Sequence, residues 1–244
     1  MLDRFVWWRR TRRHRAKKRR KSVNRYTGAT LRSSQPSLPS QTTHSLQPKT
    51  FFDTYVKRRQ PVILNGLPTE LKPLAERAWL DTTLPTAAAK TTVHVETRSS
   101  AHEPFGRGRR VQMTFKELDQ HIKANSHLYY LTTQPGCDKL VAPPLDAVAA
   151  DLPLSDGPGL LPSLRLQSVN LWLGRSNDEA GTSSGLHHDF HDNLYVVLRG
   201  AKHLELYSPA DAERMHTAGA IARVHPNGRI NYAGARTSTD GRSE

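Results

Sequence analysis

Positive charge is segregated at one end of this chain, and that segregation sets where a core can form. The 244 residues carry 36 Lys and Arg against 22 Asp and Glu, a formal net charge of +14. Thirteen of the basic residues lie between Met1 and Arg32, where Asp3 is the single acid. The rest of the chain, with 23 basic and 21 acidic residues, is close to neutral. A charge of this size ordinarily points to nucleic acid or a membrane surface as partner. Here only the first segment carries that implication, and the body of the chain is not a basic protein.

Residues 1–49 read as a tail. The basic run Arg9–Lys21 passes into the Ser-, Thr-, Pro- and Gln-rich stretch Ser33–Pro48, which has almost no aliphatic side chains to bury. The expectation is a disordered basic tail over residues 1–49 and one folded domain over residues 50–244. The run is a nuclear or nucleolar address for an import receptor, or a contact for nucleic acid. An Arg-rich, acid-poor start also resembles a mitochondrial presequence, and a solvated tail in a cytoplasmic protein is the third alternative. A nuclear protein is the expectation. No run approaches the ~18 apolar residues of a membrane span. The early apolar cluster Phe5–Trp8 is shorter than the ~7–15 residues of a secretory signal core. The lone cysteine, Cys137, leaves no internal disulfide and fits a reducing compartment. These features together predict a soluble intracellular protein.

Order is expected from about Thr50. Thr50-Phe51-Phe52-Asp53 has the spacing of a helix N-cap with an acid at N3, and Phe52, Tyr55 and Val56 share a face. Pro61–Leu64 reads as a compact buried strand ended by Asn65-Gly66, followed by a helical pattern around Glu70–Leu80. Thr92–Thr97 alternates like a strand. Thr114-Phe115-Lys116-Glu117 makes a capping box, with Phe115, Leu118 and Ile122 on one helical face. Leu128–Gln134 is the next strand candidate. Three more come close together at Leu164–Leu173, Asn193–Leu198 and Lys202–Tyr207, the last two joined by Arg199-Gly200-Ala201. The pattern predicts a β-rich α+β fold with helices preceding the sheet. No repeat, Walker sequence or dinucleotide glycine pattern is present, which argues against nucleotide enzymes.

The densest group of metal-ligand side chains is Leu186-His187-His188-Asp189-Phe190-His191. In extended chain His187 and Asp189 point to one side and His188 to the other, so an imidazole and a carboxylate two residues apart grip one ion. Iron(II) accepts two histidines and one carboxylate on one face of an octahedron, leaving positions for an oxo-acid and dioxygen. Such a pair by itself is common in loops that bind nothing.

Its surroundings make it specific. In order along the chain stand Asn170-Leu171-Trp172-Leu173-Gly174, Ser184-Gly185-Leu186-His187-His188-Asp189, Asp192-Asn193-Leu194-Tyr195, Arg199-Gly200-Ala201-Lys202-His203 and Tyr207-Ser208-Pro209. Over Val169–Tyr232 the chain resembles the JmjC and cupin-like oxygenases that depend on iron(II) and 2-oxoglutarate, most closely their protein-hydroxylase branch. Tyr55–Leu64 and Tyr129–Gln134 extend the resemblance back to about Thr50. It implies a double-stranded β-helix, or jelly-roll, core. It also implies His187 and Asp189 as metal ligands, and Lys202, Ser184, Asn193 and Tyr130 as the residues that hold 2-oxoglutarate. Lys202 matches the cation that pairs with the distal carboxylate, a role that suits the point charge of an ammonium. Trp172 and Tyr195 read as packing residues.

The family completes its metal site with a second histidine in a Pro-x-x-Trp-x-His stretch, which this sequence lacks. His203 alternates away from Lys202, His225 enters the turn Pro226-Asn227-Gly228, and His216 is nearer still, so none of them suits the third position. Ala233–Glu244 is small, polar and without strand pattern. The expected core is therefore an incomplete jelly roll lacking its last strands. By resemblance the chain is a dioxygenase-type domain acting on a protein substrate, by hydroxylation or demethylation, with weak metal binding and little turnover. The alternative is a non-catalytic cupin-like binding module with a nucleic-acid-contacting tail. An isomerase or sugar-binding cupin is disfavoured by Lys202.

Overall fold

The computed structural model describes residues 2–11, 38–100, 109–136, 139–154, 159–161, 164–176, 183–184, 187, 189, 192–207, 221–224 and 230–232. Its strands are β1 (Leu2–Thr11), β2 (Ser40–Thr42), β3 (Ile63–Asn65), β4 (Thr92–Thr97), β5 (Arg109–Thr114), β6 (Tyr129–Leu131), β7 (Arg165–Arg175), β8 (Asp192–Arg199), β9 (Ile221–Val224) and β10 (Ile230–Tyr232). The α-helical segments are α1 (Pro48–Phe51), α2 (Leu84–Ala87) and α3 (Phe115–Lys123). The chain divides into two units. One comprises Met1–Thr11, Leu67–His187 and Asn193–His203, and the other Arg12–Gly66, His188–Asp192 and Leu204–Glu244.

The first unit holds a six-stranded sheet in the order β5-β4-β6-β7-β1-β8. Strands β4 and β5 are antiparallel with Val95 opposite Val111, and β6 meets β7 at the pair Tyr130 and Gly174. Alternation along β7 divides its side chains between two faces. Val169, Leu171 and Leu173 are buried in the apolar core with Val93 and Val95 of β4, Leu131 of β6, and Val196 and Leu198 of β8. Phe115, Leu118 and Ile122 of α3 pack into the same core, as do Leu71, Leu74, Leu80 and Leu84. Helix α3 begins at the expected capping box. The Glu117 backbone N–H donates to Thr114 Oγ1 at 3.2 Å, and the Thr114 backbone N–H donates to Glu117 Oε2 at 2.7 Å.

The helical pattern around Glu70–Leu80 does not form one helix. Pro73 sits inside the 3-10 segment Thr69–Ala75, and Glu76 is extended. A proline has no N–H to continue an α-helical ladder and its ring crowds the preceding turn. Helix resumes at Arg77 and widens into a π-helical turn at Trp79–Thr83, where the Leu84 N–H bonds to the Trp79 carbonyl. Pro85, next in line, has no N–H to give to Asp81, which leaves the ladder interrupted at that point.

In the second unit β2 runs parallel to β3, with Ser40 opposite Ile63. Thr43 donates its hydroxyl to the Gly66 carbonyl at 2.6 Å, and Gly66 itself has φ +88°, a backbone conformation open to glycine. Strand β3 is short and Ile63 is 48% exposed, so the compact buried strand expected at Pro61–Leu64 is an edge element. Helix α1 starts at Pro48 with Gln47 as N-cap, three residues before the expected cap Thr50, and continues through the π-helical turn Phe52–Val56. Proline at the first helical position needs no donor and has a preset φ, which accounts for the earlier start.

Two further expectations are corrected. The disordered tail of residues 1–49 contains strand β1, hydrogen-bonded along β7 from Leu2 opposite Arg175 to Thr11 opposite Arg165. It also contains β2 and the start of α1. Phe5, Val6, Trp7 and Trp8 supply the β-favouring side chains that the count of charges obscured. The rest of the tail, residues 12–37, lies outside the described residues, as does Cys137. Lys202–Tyr207, expected as a strand, is not a strand among the described residues. Beyond it, β9 and β10 pair antiparallel with Ile230 opposite Val224, a ladder the sequence did not announce. No helix among the described residues is long and apolar enough to cross a membrane.

Candidate functional site

The sheet places two of the candidate residues, Asn193 and Tyr130, on the side away from the apolar core. On β8 the core takes Val196 and Leu198, so Asn193, at odd position with Tyr195 and Arg199, belongs to the opposite face. On β7 the residues alternating with Val169, Leu171 and Leu173 are Ser168, Asn170, Trp172 and Gly174. Tyr130 of β6 lies flat against this row. Its ring stacks with Trp172 at a centroid distance of 5.8 Å, and a Cβ at Gly174 would stand 2.6 Å from its Cδ2 atom. Gly174 is thus the residue that lets the tyrosine lie down on β7.

Lys202 is half-buried and stands just past the end of β8, beyond the turn at Gly200, whose φ is +85°. Ser184 is half-buried, while Asn193 and His187 are exposed. Tyr130, Ser184, His187, Asn193 and Lys202 all belong to the first unit, and Asp189, also exposed, belongs to the second. Among the described residues no group of three or more His, Cys, Asp or Glu side chains is close enough to hold one metal ion. An imidazole and a carboxylate are donor types that an iron(II) centre takes, so His187 and Asp189 have the side-chain chemistry of two of its ligands. The described residues furnish no third. His203 is exposed, and His188, His191, His216 and His225 lie outside the described residues.

Sequence reasoning passed over two features of this face. Asn170 is fully buried, its amide nitrogen donating to Gln134 Oε1 at 3.4 Å, while its Oδ1 and the hydroxyl of buried Ser168 have no hydrogen-bond partner among the described residues. Buried polar atoms without partners are exceptional. The available signal was the alternation of Ser168 and Asn170 with three aliphatic residues, where a strand with two buried faces would carry apolar side chains on both. The second is the contact of Arg199 with Asp81, two half-buried charges 118 residues apart in sequence, which no local pattern reveals.

A family model described as a cupin-like domain matches residues 48–239. The chain belongs to the cupin-like family. This cupin-like chain is 35% identical over 216 residues to JmjC domain-containing protein 4 of Schizosaccharomyces pombe, covering 80% of the chain and 43% of that protein. It is 42% identical over 50 residues to Lysine-specific demethylase JMJ32 of Arabidopsis thaliana, covering 20% of the chain and 13% of that protein. The chain spans less than half the length of these curated relatives. No solved structure matches it. The β-rich α+β architecture is thus that of a cupin-like, JmjC-related domain. All six candidate residues, with Asp81, Asn170 and Arg199, fall inside the matched span, and β1 and the basic run precede it.

Proposed function

We propose that this cupin-like domain is of the iron(II)- and 2-oxoglutarate-dependent dioxygenase type and acts on a protein substrate, by hydroxylation or demethylation. His187 and Asp189 are its metal-binding pair. Lys202, Ser184, Asn193 and Tyr130 form its co-substrate cradle. The observation that carries the reading is the half-buried Lys202 behind the Gly200 turn, in the same unit as Tyr130, Ser184 and Asn193. A dicarboxylate held out of bulk water requires a cation at its far end, and the half-buried ammonium-bearing Lys202 just past β8 is the candidate for it. Ser184 adds a hydroxyl donor for the same carboxylate, and the phenol of Tyr130 is oriented by its stacking on Trp172.

Iron(II), when bound, would activate dioxygen beside the chelated oxo-acid. The chain's own part is to hold the distal carboxylate, to orient the oxo-acid and to present the protein substrate. The sequence lacks the Pro-x-x-Trp-x-His stretch that brings the family's second histidine, and the expectation is weak metal binding and little turnover by residues 1–244. Purified protein should therefore bind 2-oxoglutarate saturably, release little succinate in the presence of iron, and lose affinity about tenfold in Lys202→Ala. Efficient succinate release would overturn the expectation of low turnover. Binding that is indifferent to Lys202 would overturn the cradle and leave a non-catalytic cupin-like binding module, for which salt-sensitive RNA binding that survives His187→Ala is the positive sign.

A further inference from the structure

We propose that the outer edge of β5 is a docking site for an extended acidic segment of a partner protein, added to the sheet as a further strand. Strand β5 ends the six-stranded sheet, with β4 on one side and, among the described residues, no strand on the other. The register shows which of its backbone groups face outward. Phe115 donates its N–H to the Thr91 carbonyl at 2.9 Å, one step beyond the pair Thr92 and Thr114. Hydrogen-bonded and non-hydrogen-bonded pairs alternate in an antiparallel ladder, so Met113, Val111 and Arg109 bond to Val93, Val95 and Thr97. The far side of β4 agrees with this. The Thr132 N–H donates to the His94 carbonyl at 3.0 Å and the His94 N–H donates to Thr133 Oγ1 at 2.7 Å, so the backbone groups of His94 point away from β5. On β5 the N–H and C=O groups of Arg110 and Gln112 are therefore turned out of the sheet. The Thr114 N–H shares that direction and is already taken by Glu117 Oε2 at 2.7 Å.

A strand laid on this edge meets two kinds of side chain. Val111 and Met113 are half-buried and pack against the margin of the apolar core. Arg110 and Gln112, on the opposite face, are exposed, as is Arg109 at the start of the strand. Neither arginine forms an ion pair among the described residues. An exposed edge is a template for another chain, and cations along it oppose self-pairing, because two copies of β5 would bring their arginines together. The same charges favour an acidic strand. The occupant that fits is a polypeptide with acidic side chains on the face of Arg110 and Gln112 and aliphatic ones on the face of Val111 and Met113. Main-chain bonds to Arg110 and Gln112 supply affinity, and the two rows of side chains set the choice of partner.

Arg110 stands opposite Glu96, and Glu96 opposite Tyr130, so the edge lies two strand spacings, about 10 Å, from Tyr130. A partner docked there lies beside the sheet face that carries this tyrosine. Docking itself involves none of the candidate metal or co-substrate residues.

The test uses the full chain without metal or 2-oxoglutarate. The probe is a capped peptide of alternating valine and glutamate, six residues long like β5, and its control carries lysine in place of glutamate. Amide-resolved hydrogen exchange by NMR should show the glutamate peptide protecting the Arg110 and Gln112 N–H groups, while those of Val111 and Met113, already bonded to β4, change little. Gln112→Pro removes one outward N–H and no bond to β4, and should weaken binding about threefold to tenfold, the worth of one hydrogen bond. Arg109→Glu combined with Arg110→Glu should reverse the preference between the peptides, a readout that stands even where the proline disturbs the strand. No binding of the glutamate peptide overturns the proposal outright, and equal binding of the two peptides overturns the acidic partner. Binding without protection at Arg110 and Gln112 overturns strand addition. Protection that rises with protein concentration alone makes the edge an interface between copies of this chain, and protection by oligouridylate makes it a nucleic-acid contact. Either result overturns the proposal.

Discussion

At the scale of single residues, Gly174 is defined by what lies over it. The Tyr130 ring leaves no room for a β-carbon, with Cδ2 at 2.6 Å and Cε2 at 3.2 Å from its ideal position. The ring is braced by Trp172 and has no free swing. Gly174→Ala should therefore destabilise the domain by about 1–3 kcal/mol, as overpacking does. Chemical denaturation checks the stability, and a loss of 2-oxoglutarate affinity should accompany it because the tyrosine moves. Unaltered stability would mean that the ring is not where the sheet places it. Tyr130, Ser184, Asn193 and Lys202 were singled out by the family resemblance, as candidates for a role that is proposed. Asn170 was not, although it stood in the same strand motif. Its burial comes from neighbours in β6 and from the segment around Gln134, and a sequence does not display which strands will lie beside one another.

At the scale of elements, one of two local capping signals was read correctly, while the other, Thr50–Asp53, was overtaken by the helix start at Pro48. The capping box of α3 needs only Thr114 and Glu117, and both reciprocal bonds are present. Thr114→Ala should cost about 1 kcal/mol of stability, measurable by thermal unfolding. The same box predicts a pH dependence. The Glu117 carboxyl is held below its usual range, first by the Thr114 backbone N–H and then by its hydroxyl. A depressed carboxylate contributes stability above its unfolded pKa and loses that contribution as pH falls through its folded value. The difference in Tm between the wild type and Glu117→Gln should accordingly shrink on acidification from neutrality to below about pH 4, the range in which an ordinary glutamate takes up its proton. A difference that stays constant through that range would count against an ionised cap. Elements that depend on partners were misread. Pro73 divides a periodic segment whose apolar spacing alone suggests one helix, and Lys202–Tyr207 alternates in sequence without being a strand among the described residues.

At the scale of the whole molecule, the reading of a basic tail ran together two pieces of chain with different roles. Leu2–Thr11 is a strand lying between β7 and β8, and the basic run continues past it from Arg12 to Lys21. Charge composition averaged the two, because Arg4, Arg9 and Arg10 belong to the strand while Phe5–Trp8 give it its β character. This division changes how a targeting role is tested. Deleting residues 1–49 would remove β1 and leave unpaired edges on β7 and β8, inviting aggregation that would itself move a fluorescent fusion. Replacing Arg12, Arg13, Arg15, Lys17, Lys18, Arg19, Arg20 and Lys21 by glutamine leaves the β1 ladder, which ends at Thr11 opposite Arg165, untouched. If the run is a nuclear address, that variant should keep the parent's Tm and lose nuclear accumulation, while deletion of residues 1–11 should lower Tm and solubility with the basic run intact. An unchanged location in the glutamine variant would discard the targeting role. An unchanged Tm after deletion of residues 1–11 would show that β1 contributes nothing to the sheet it pairs with.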